Sequence, residues 1–315
     1  TDIIYSRPRE QAKLEFEYIT KHQNTDWMAF HNQFLKDSKN GVYDDPESYS
    51  YHDVYNLYDS ESSEPLFLNV TGNHDVGYGD ATFQHMARWR ILFGKDNYWI
   101  EYDNGTDHAW RIVMLNSLTL DGPMLQPQFK DVTWKFIETL EQRPYNGSTI
   151  LLTHIPMHKR EGLCYDGPNV EYYQESGCHG CSPDRVGLLK STNFVSEGAS
   201  QRVMNAIFKD GKSGIILTGH DHYGCQNYFN LEEDGHWRAS KSKTSKKFIK
   251  EVTVRSMMGD FEGVTGIMTG MFNDQENIWD FEYSECYFSV QHVWWAAQIF
   301  LVLAILLQSS LFILS

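Results

Sequence analysis

Residues 66–75, LFLNVTGNHD, read as a short apolar strand that runs into a polar loop, Thr71-Gly72-Asn73-His74-Asp75. The same grammar returns twice further on. Residues 148–152 lead into Thr153-His154-Ile155-Pro156, and residues 214–217 lead into Thr218-Gly219-His220-Asp221-His222. A fourth apolar run, 111–115, ends in Asn116-Ser117. Short apolar runs bounded by turn residues read as buried strands. Stretches with apolar residues near the 3.6 period, 81–93, 132–142 and 200–209, fall between them and predict helices. Strand alternating with helix is the pattern of a layered α/β domain.

Working outward, residues 248–255, 266–272 and 278–283 predict further strands with no helix between them. They imply a second, antiparallel sheet packed on the first. Residues 157–192 combine cysteine, glycine and charge without clear periodicity, and read as a lid or specificity insert. The run KSKTSKKFIK at 241–250 reads as an exposed basic loop, with anionic lipid or substrate as the sharper alternative. Toward the N-terminus, 9–20 and 26–36 are helix-like and 37–64 is acidic and turn-rich. The division that follows is a helical and acidic region at 1–64, one α/β domain at 65–290 and an apolar tail at 293–315.

That tail, VWWAAQIFLVLAILLQSSLFILS, holds no charged residue. At about 1.5 Å per residue it reaches about 35 Å, enough to cross a hydrocarbon core. Trp294 and Trp295 stand at its entry, where aromatic side chains favour the interface. A membrane helix is expected, so the lipid bilayer is an expected partner. The net charge of −15 argues against nucleic acid, because phosphate backbones attract basic surfaces. Three sequons, at Asn69, Asn104 and Asn146, are compatible with a lumenal domain. Of the five cysteines, Cys164, Cys178, Cys181 and Cys225 suit disulfides of an oxidising compartment, with a structural zinc site as the rival reading.

In open α/β sheets ligands gather where loops leave the carboxyl ends of strands. Three such loops here carry Asn73, His74, His154, His220 and His222. Core packing does not ask for that set. Imidazole nitrogens and an amide oxygen suit borderline divalent ions such as manganese, iron or zinc. Gly72 and Gly219 are expected to let the backbone turn tightly, so that the following side chains share one space.

At this point the chain resembles the calcineurin-like metallophosphoesterase superfamily, whose motifs run Asp-x-His, Gly-Asp-x-x-Asp, Gly-Asn-His-Asp/Glu, a lone His and Gly-His-x-His. The last three are present in order. The resemblance implies a calcineurin-like fold, a two-sheet β-sandwich flanked by helices. It also implies two divalent metal ions, one held by Asn73, His154 and His220 and the other reached by His222. His74 would be the catalytic histidine beside the scissile phosphate, and Asp75 would orient its loop. The first two motifs are absent, and nothing in 1–71 replaces them: Asp26 and His31 have the wrong spacing, and Asp44-Asp45 lacks a preceding glycine. Those motifs would supply most of the second ion's ligands and the bridging carboxylate. The chain opens at Thr1 without an initiator Met, so truncation at the N-terminus is expected, with a degenerate family member as the alternative.

Val254-Arg255-Ser256-Met257-Met258-Gly259, then Gly263 and Gly266, is similar to a stretch in the GPI-anchor ethanolamine-phosphate phosphodiesterases. So is Gly219-His220-Asp221-His222-Tyr223-Gly224-Cys225, followed by a C-terminal membrane helix. That likeness implies a lumenal enzyme of the endoplasmic reticulum or Golgi membrane that removes ethanolamine phosphate from GPI-anchored glycolipid or protein. Another lumenal phosphoesterase, a catalytically silent metal-binding adaptor and a purely structural membrane-anchored domain remain as alternatives.

Overall fold

Ile150, Leu151 and Leu152 belong to one strand, and neighbours along it are buried in different clusters. That alternation organises the molecule. The computed structural model describes residues 68–175, 183–258, 261–287 and 291–314. The expectations for 1–64 and for Cys178 and Cys181 lie outside those residues.

The chain forms a large mixed sheet, a hairpin layer and an apolar C-terminal helix. Strands β1 (Tyr98–Tyr102), β2 (Trp110–Leu115) and β3 (Ser148–Thr153) are followed by a two-stranded ribbon, β4 (Val170–Tyr172) with β5 (Leu189–Thr192). Then come β6 (Gly214–Thr218), β7 (Cys225–Leu231), β8 (Trp237–Ser240) and β9 (Phe248–Thr253). The seven-stranded sheet has the order β1-β2-β3-β6-β9-β7-β8. Its centre, β2-β3-β6-β9, is parallel, and β1, β7 and β8 join antiparallel. Central parallel strands are covered on both faces, which explains their continuous apolar runs.

After the single turn α1 (Asn73–Val76) and helix α2 (Phe83–Phe93), helices α3 (Pro127–Glu141) and α4 (Glu197–Phe208) cover one face. Phe136, Ile137 and Leu140 of α3 and Val203, Met204, Ile207 and Phe208 of α4 share a core with Val113, Leu151, Ile216 and Ile249. The spacing of these residues puts one apolar stripe on each helix. Proline at the first position starts α3, and the Ser196 hydroxyl accepts from the Ala199 N–H to cap α4. The other face meets β10 (Val264–Asn273) and β11 (Ile278–Tyr287), an antiparallel hairpin whose Met268, Phe281 and Tyr283 pack on Ile150, Ile215 and Val252.

Two expectations are corrected here. The strand at 248–253 is not part of a second sheet, because it pairs parallel with β6 at the centre of the first. Its Ile249 and Val252 face opposite cores, as a central position requires. The hairpin alone makes the second layer. Of the strand expected at 66–70, residues 66–67 lie outside the described residues and 68–70 form no strand, although Leu68 and Val70 pack on Tyr98, Ile100 and Met114 as an apolar strand end would. Asn69 is half-buried.

Helix α5 (Gln291–Leu314) contains a 19-residue apolar span, His292–Ser310, none of which is buried against the rest of the chain. Ser309 and Ser310 donate their hydroxyls to the carbonyls of Ile305 and Leu306, both at 2.8 Å, so these polar groups are satisfied within the helix. The helix is long and apolar enough to cross a membrane.

Cys164 and Cys225 form a disulfide closing a loop of 61 residues. Neither thiolate is therefore available to a zinc ion, and Cys286 is free and exposed. Replacing Cys164 with serine is expected to cost about 2–4 kcal/mol, read as a lower urea midpoint under non-reducing conditions. An unchanged midpoint would mean that the closed loop adds no stability.

Candidate metal centre

The three polar loops meet. Gly72 starts the single helical turn α1 (Asn73–Val76), and the buried Asp75 carboxylate turns back to accept the Gly72 N–H at 2.8 Å. That bond fixes the direction in which Asn73 and His74 leave the chain. Beyond β3, the Ser117 hydroxyl accepts the Ile155 N–H at 2.7 Å, and Thr153 donates to the Leu115 carbonyl at 2.8 Å. Leu115 and Ser117 thus act as props for the His154 loop. The Gly219 N–H donates to the His154 carbonyl at 3.0 Å, which ties the third loop to the second.

The side chains converge on His154. Its Nε2 donates to Asn73 Oδ1 at 2.7 Å, and its ring centroid lies 5.2 Å from that of His220. Burial holds the His154 imidazole well below its ordinary pKa, and the neighbouring His220, His74 and His222 lower it further. The ring is therefore neutral near pH 7, the form that binds metals. Within this structure His220 Nε2 donates to the Thr192 carbonyl at 3.0 Å, which leaves Nδ1 as its lone-pair nitrogen. A backbone carbonyl holding one ring N–H while the other nitrogen stays basic is the usual support of a ligating histidine. Tyr78 Oη lies 3.4 Å from the same Nε2.

The glycine expectation needs correcting. Gly72 is extended, with φ −105°, and the left-handed residue of the third loop is His220 itself, φ 74°. A side chain there costs about 1 kcal/mol of strain, so the ring is held by its surroundings rather than by a flexible hinge. Gly224, also left-handed, is required by space: a Cβ would lie 2.3 Å from Arg255 Cγ and 3.0 Å from the Thr253 carbonyl. Gly79 is equally constrained. Its added Cβ would sit 2.5 Å from the Pro123 carbonyl and 2.7 Å from the Leu189 N. Gly79 docks the Asn73 loop on β5 through an N–H bond to the Leu189 carbonyl. Gly79→Ala is expected to cost about 1–3 kcal/mol, measured by urea unfolding. A neutral substitution would show that this contact is not tight.

Can these residues hold an ion? Two donors about 2.1 Å from one ion and at right angles would lie about 3 Å apart. His154 Nε2 and Asn73 Oδ1 are 2.7 Å apart, near that spacing; an ion between them would take the place of the Nε2 proton, which Nδ1 would then carry, and His220 is the adjoining imidazole. Among the described residues no three His, Cys, Asp or Glu side chains form a metal-holding group. The donors fit part of one ion's shell and do not by themselves complete two sites. His74 is half-buried on α1 and lies close enough to act on His154 electrostatically. His222 is half-buried, its ring edge-on to Phe261 at 4.7 Å.

Tyr78, Thr192 and two buried charges escaped the sequence reading. Lys159 Nζ meets Glu251 Oε2 at 2.5 Å, with neither side chain exposed. Lys159 also donates to the Met157 carbonyl at 3.1 Å, and Glu251 Oε1 accepts the Met157 N–H at 2.9 Å. The pair straps the segment after His154 to the middle of β9. Burial lowers the Lys159 pKa, and Glu251 opposes that shift. Three lysines of the basic run make local contacts: Lys241 donates to the Gln226 carbonyl at 3.0 Å, Lys247 donates to that of Gly211, and Lys243 lies over the Phe248 ring at 4.3 Å.

The chain is similar to Protein TED1 of Saccharomyces cerevisiae, 48% identical over 306 residues, which cover 96% of this chain and 64% of that protein. It is also similar to Uncharacterized protein C23A1.02c of Schizosaccharomyces pombe, 25% identical over 179 residues, 50% of this chain and 38% of that protein. The chain thus spans less than two thirds of the length of either relative. No family profile matches it, and no solved structure does.

Proposed function

We propose that this chain carries part of the site of a metal-dependent phosphodiester hydrolase with a calcineurin-like fold, anchored in a membrane of the early secretory pathway. The reading extends to removal of ethanolamine phosphate from GPI-anchor glycans. One observation carries it most: three loops separated widely in sequence bring Asn73, His154 and His220 to one place, two of them in direct contact. The motif order and the exposed apolar α5 support the narrower assignment.

The residues divide the work as follows. Asn73, His154 and His220 would hold one ion, and His222 would help to hold a second. Manganese, iron or zinc suits these donors, and when bound such ions neutralise phosphate charge and activate water. Asp75 keeps the Asn73 loop in register through Gly72. The Thr192 carbonyl orients His220 by accepting a hydrogen bond from its Nε2–H. His74, outside the ligand set, would give a proton to the departing alcohol oxygen. The apolar helix would confine the site to membrane-attached substrates, raising their effective concentration.

The test is reconstitution of purified protein with manganese or zinc, followed by assays on aryl phosphodiesters, aryl phosphomonoesters and an ethanolamine-phosphate-bearing GPI glycan. Release of ethanolamine phosphate supports the full reading. Turnover of aryl esters alone would leave another phosphoesterase. A single bound ion without turnover would favour a silent metal-binding protein.

A further inference from the structure

The hairpin ties the histidine loops to the foot of the apolar helix. The Ser256 N–H donates to the His222 carbonyl at 3.0 Å, and the Val264 N–H donates to the Ser256 carbonyl at 3.1 Å. Val264 opens β10 and pairs with Tyr287, the last residue of β11. The chain from Tyr287 to Gln291, where α5 begins, spans at most about 14 Å. The histidine loops and the foot of α5 therefore share one end of the molecule. The tip of the hairpin lies at the other end, where Trp279 donates its indole N–H to the His108 carbonyl at 2.9 Å, just before β2. The two exposed sequons, Asn104 and Asn146, also precede β2 and β3 at that far end.

The near end carries an apolar rim. Tyr165 stacks on Tyr223, with ring centroids 3.9 Å apart, and Tyr223 stands edge-on to Phe261 at 5.2 Å. The Phe261 N–H donates to the Met258 carbonyl at 3.0 Å, which brings Met257 and Met258 to the same rim. Tyr287 joins it through Arg255, which donates to the Tyr287 hydroxyl at 3.1 Å and to Glu262 at 2.8 Å. Tyr165, Tyr223, Met257, Met258 and Tyr287 are all exposed. Packing within the domain would bury such side chains, and a cluster of them marks a contact surface. What meets it follows from the chain. A segment long and apolar enough to cross a membrane begins just beyond Tyr287, and Trp294 and Trp295 stand in its first two turns. Tyrosine and tryptophan favour the level of the headgroups, and apolar side chains sink to the acyl boundary below it.

We propose that this rim of three tyrosines and two methionines docks on the bilayer that α5 crosses, and seats the histidine centre at the headgroup layer. The proposal rests on α5 as a membrane helix, and not on the metal or the hydrolase reading. His222 is the chain neighbour of Tyr223, so the centre is pressed to the lipid surface and not held above it on a stalk. The rim side chains carry no charge, so a zwitterionic lipid surface is a sufficient partner.

The hairpin supplies its own control. Met271 is 73% exposed against 68% for Met257, but it stands seven residues along β10 from Val264, about 23 Å away at 3.3 Å per residue. The full chain is placed singly in phosphatidylcholine nanodiscs, treated with hydrogen peroxide and read by peptide mass spectrometry. Near-equal exposure alone would give near-equal rates of sulfoxide formation, whereas docking is expected to slow Met257 at least about 5-fold relative to Met271. A second disc carries phosphatidylcholine with a photoreactive diazirine in its acyl chain. Light should attach lipid to α5 and to the peptides holding Tyr165 and Met257, and not to the Met271 peptide. Tyr165→Asp combined with Met258→Asp should bring the Met257 rate to that of Met271 while lipid still labels α5. Equal rates in the wild type overturn the docking, as does protection of Met257 without lipid on the rim, which would make the cover protein. Protection that survives the double variant also overturns it, because the tether alone would then hold the domain down. Lipid absent from α5 as well would overturn the membrane helix and the docking with it. Turnover enters none of these readouts, so the hydrolase reading can fail while the rim stands.

Discussion

Replacing Glu251 with alanine is expected to destabilise the protein by about 3–5 kcal/mol, because it strands the Lys159 ammonium in a site with no solvent exposure. The Met157 N–H loses its acceptor in the same stroke. The sign follows from desolvation: an uncompensated buried charge costs more than the intact pair contributes. A double replacement, Lys159→Met with Glu251→Leu, removes both charges and should recover most of the loss. Urea unfolding of the wild type, Lys159→Met, Glu251→Leu and the double variant closes the cycle, with Glu251→Ala measured beside them. If Glu251→Ala alone is neutral, the pair is not a strap, and the segment after His154 is held by other contacts.

The second large effect concerns chemistry. His74→Ala is expected to lower turnover of a phosphodiester by about 10²–10⁴-fold, the usual contribution of a proton donor in the transition state. Bound metal should stay near the wild-type level, because His74 lies outside the proposed ligand set. The two readouts together make the assignment testable. Joint loss of metal and activity would make His74 a ligand, and unchanged activity would remove it from the mechanism.

Much of this was legible in the sequence where one physical rule dominated. Runs such as 148–152 and 214–217 are apolar because parallel strands are buried on both faces, and the polar loops after them stand out by contrast. Two interior strands beyond β6 were harder. In β7, CQNYFNL, the buried Asn227 and Asn230 interrupt the apolar alternation, so the stretch looks like a loop until β9 pairs with it. In β9 itself, Lys250 and Glu251 hide a central strand, since only Lys159, far away in sequence, makes a buried carboxylate tolerable there. Tyr78 and Thr192 carry no motif; folding alone brings them to His220. The histidines were legible as a set, and their positions relative to one another were not.

The central claim is that Asn73, His154 and His220 hold a divalent ion. Metal content by inductively coupled plasma mass spectrometry, after loading with manganese or zinc and gel filtration, tests it most directly. Wild-type protein should retain about one ion or more per chain, whereas Asn73→Ala and His154→Ala should each retain less than about a tenth of that, with circular dichroism unchanged. Wild-type protein that retains no ion, or variants that keep the wild-type amount, would contradict it.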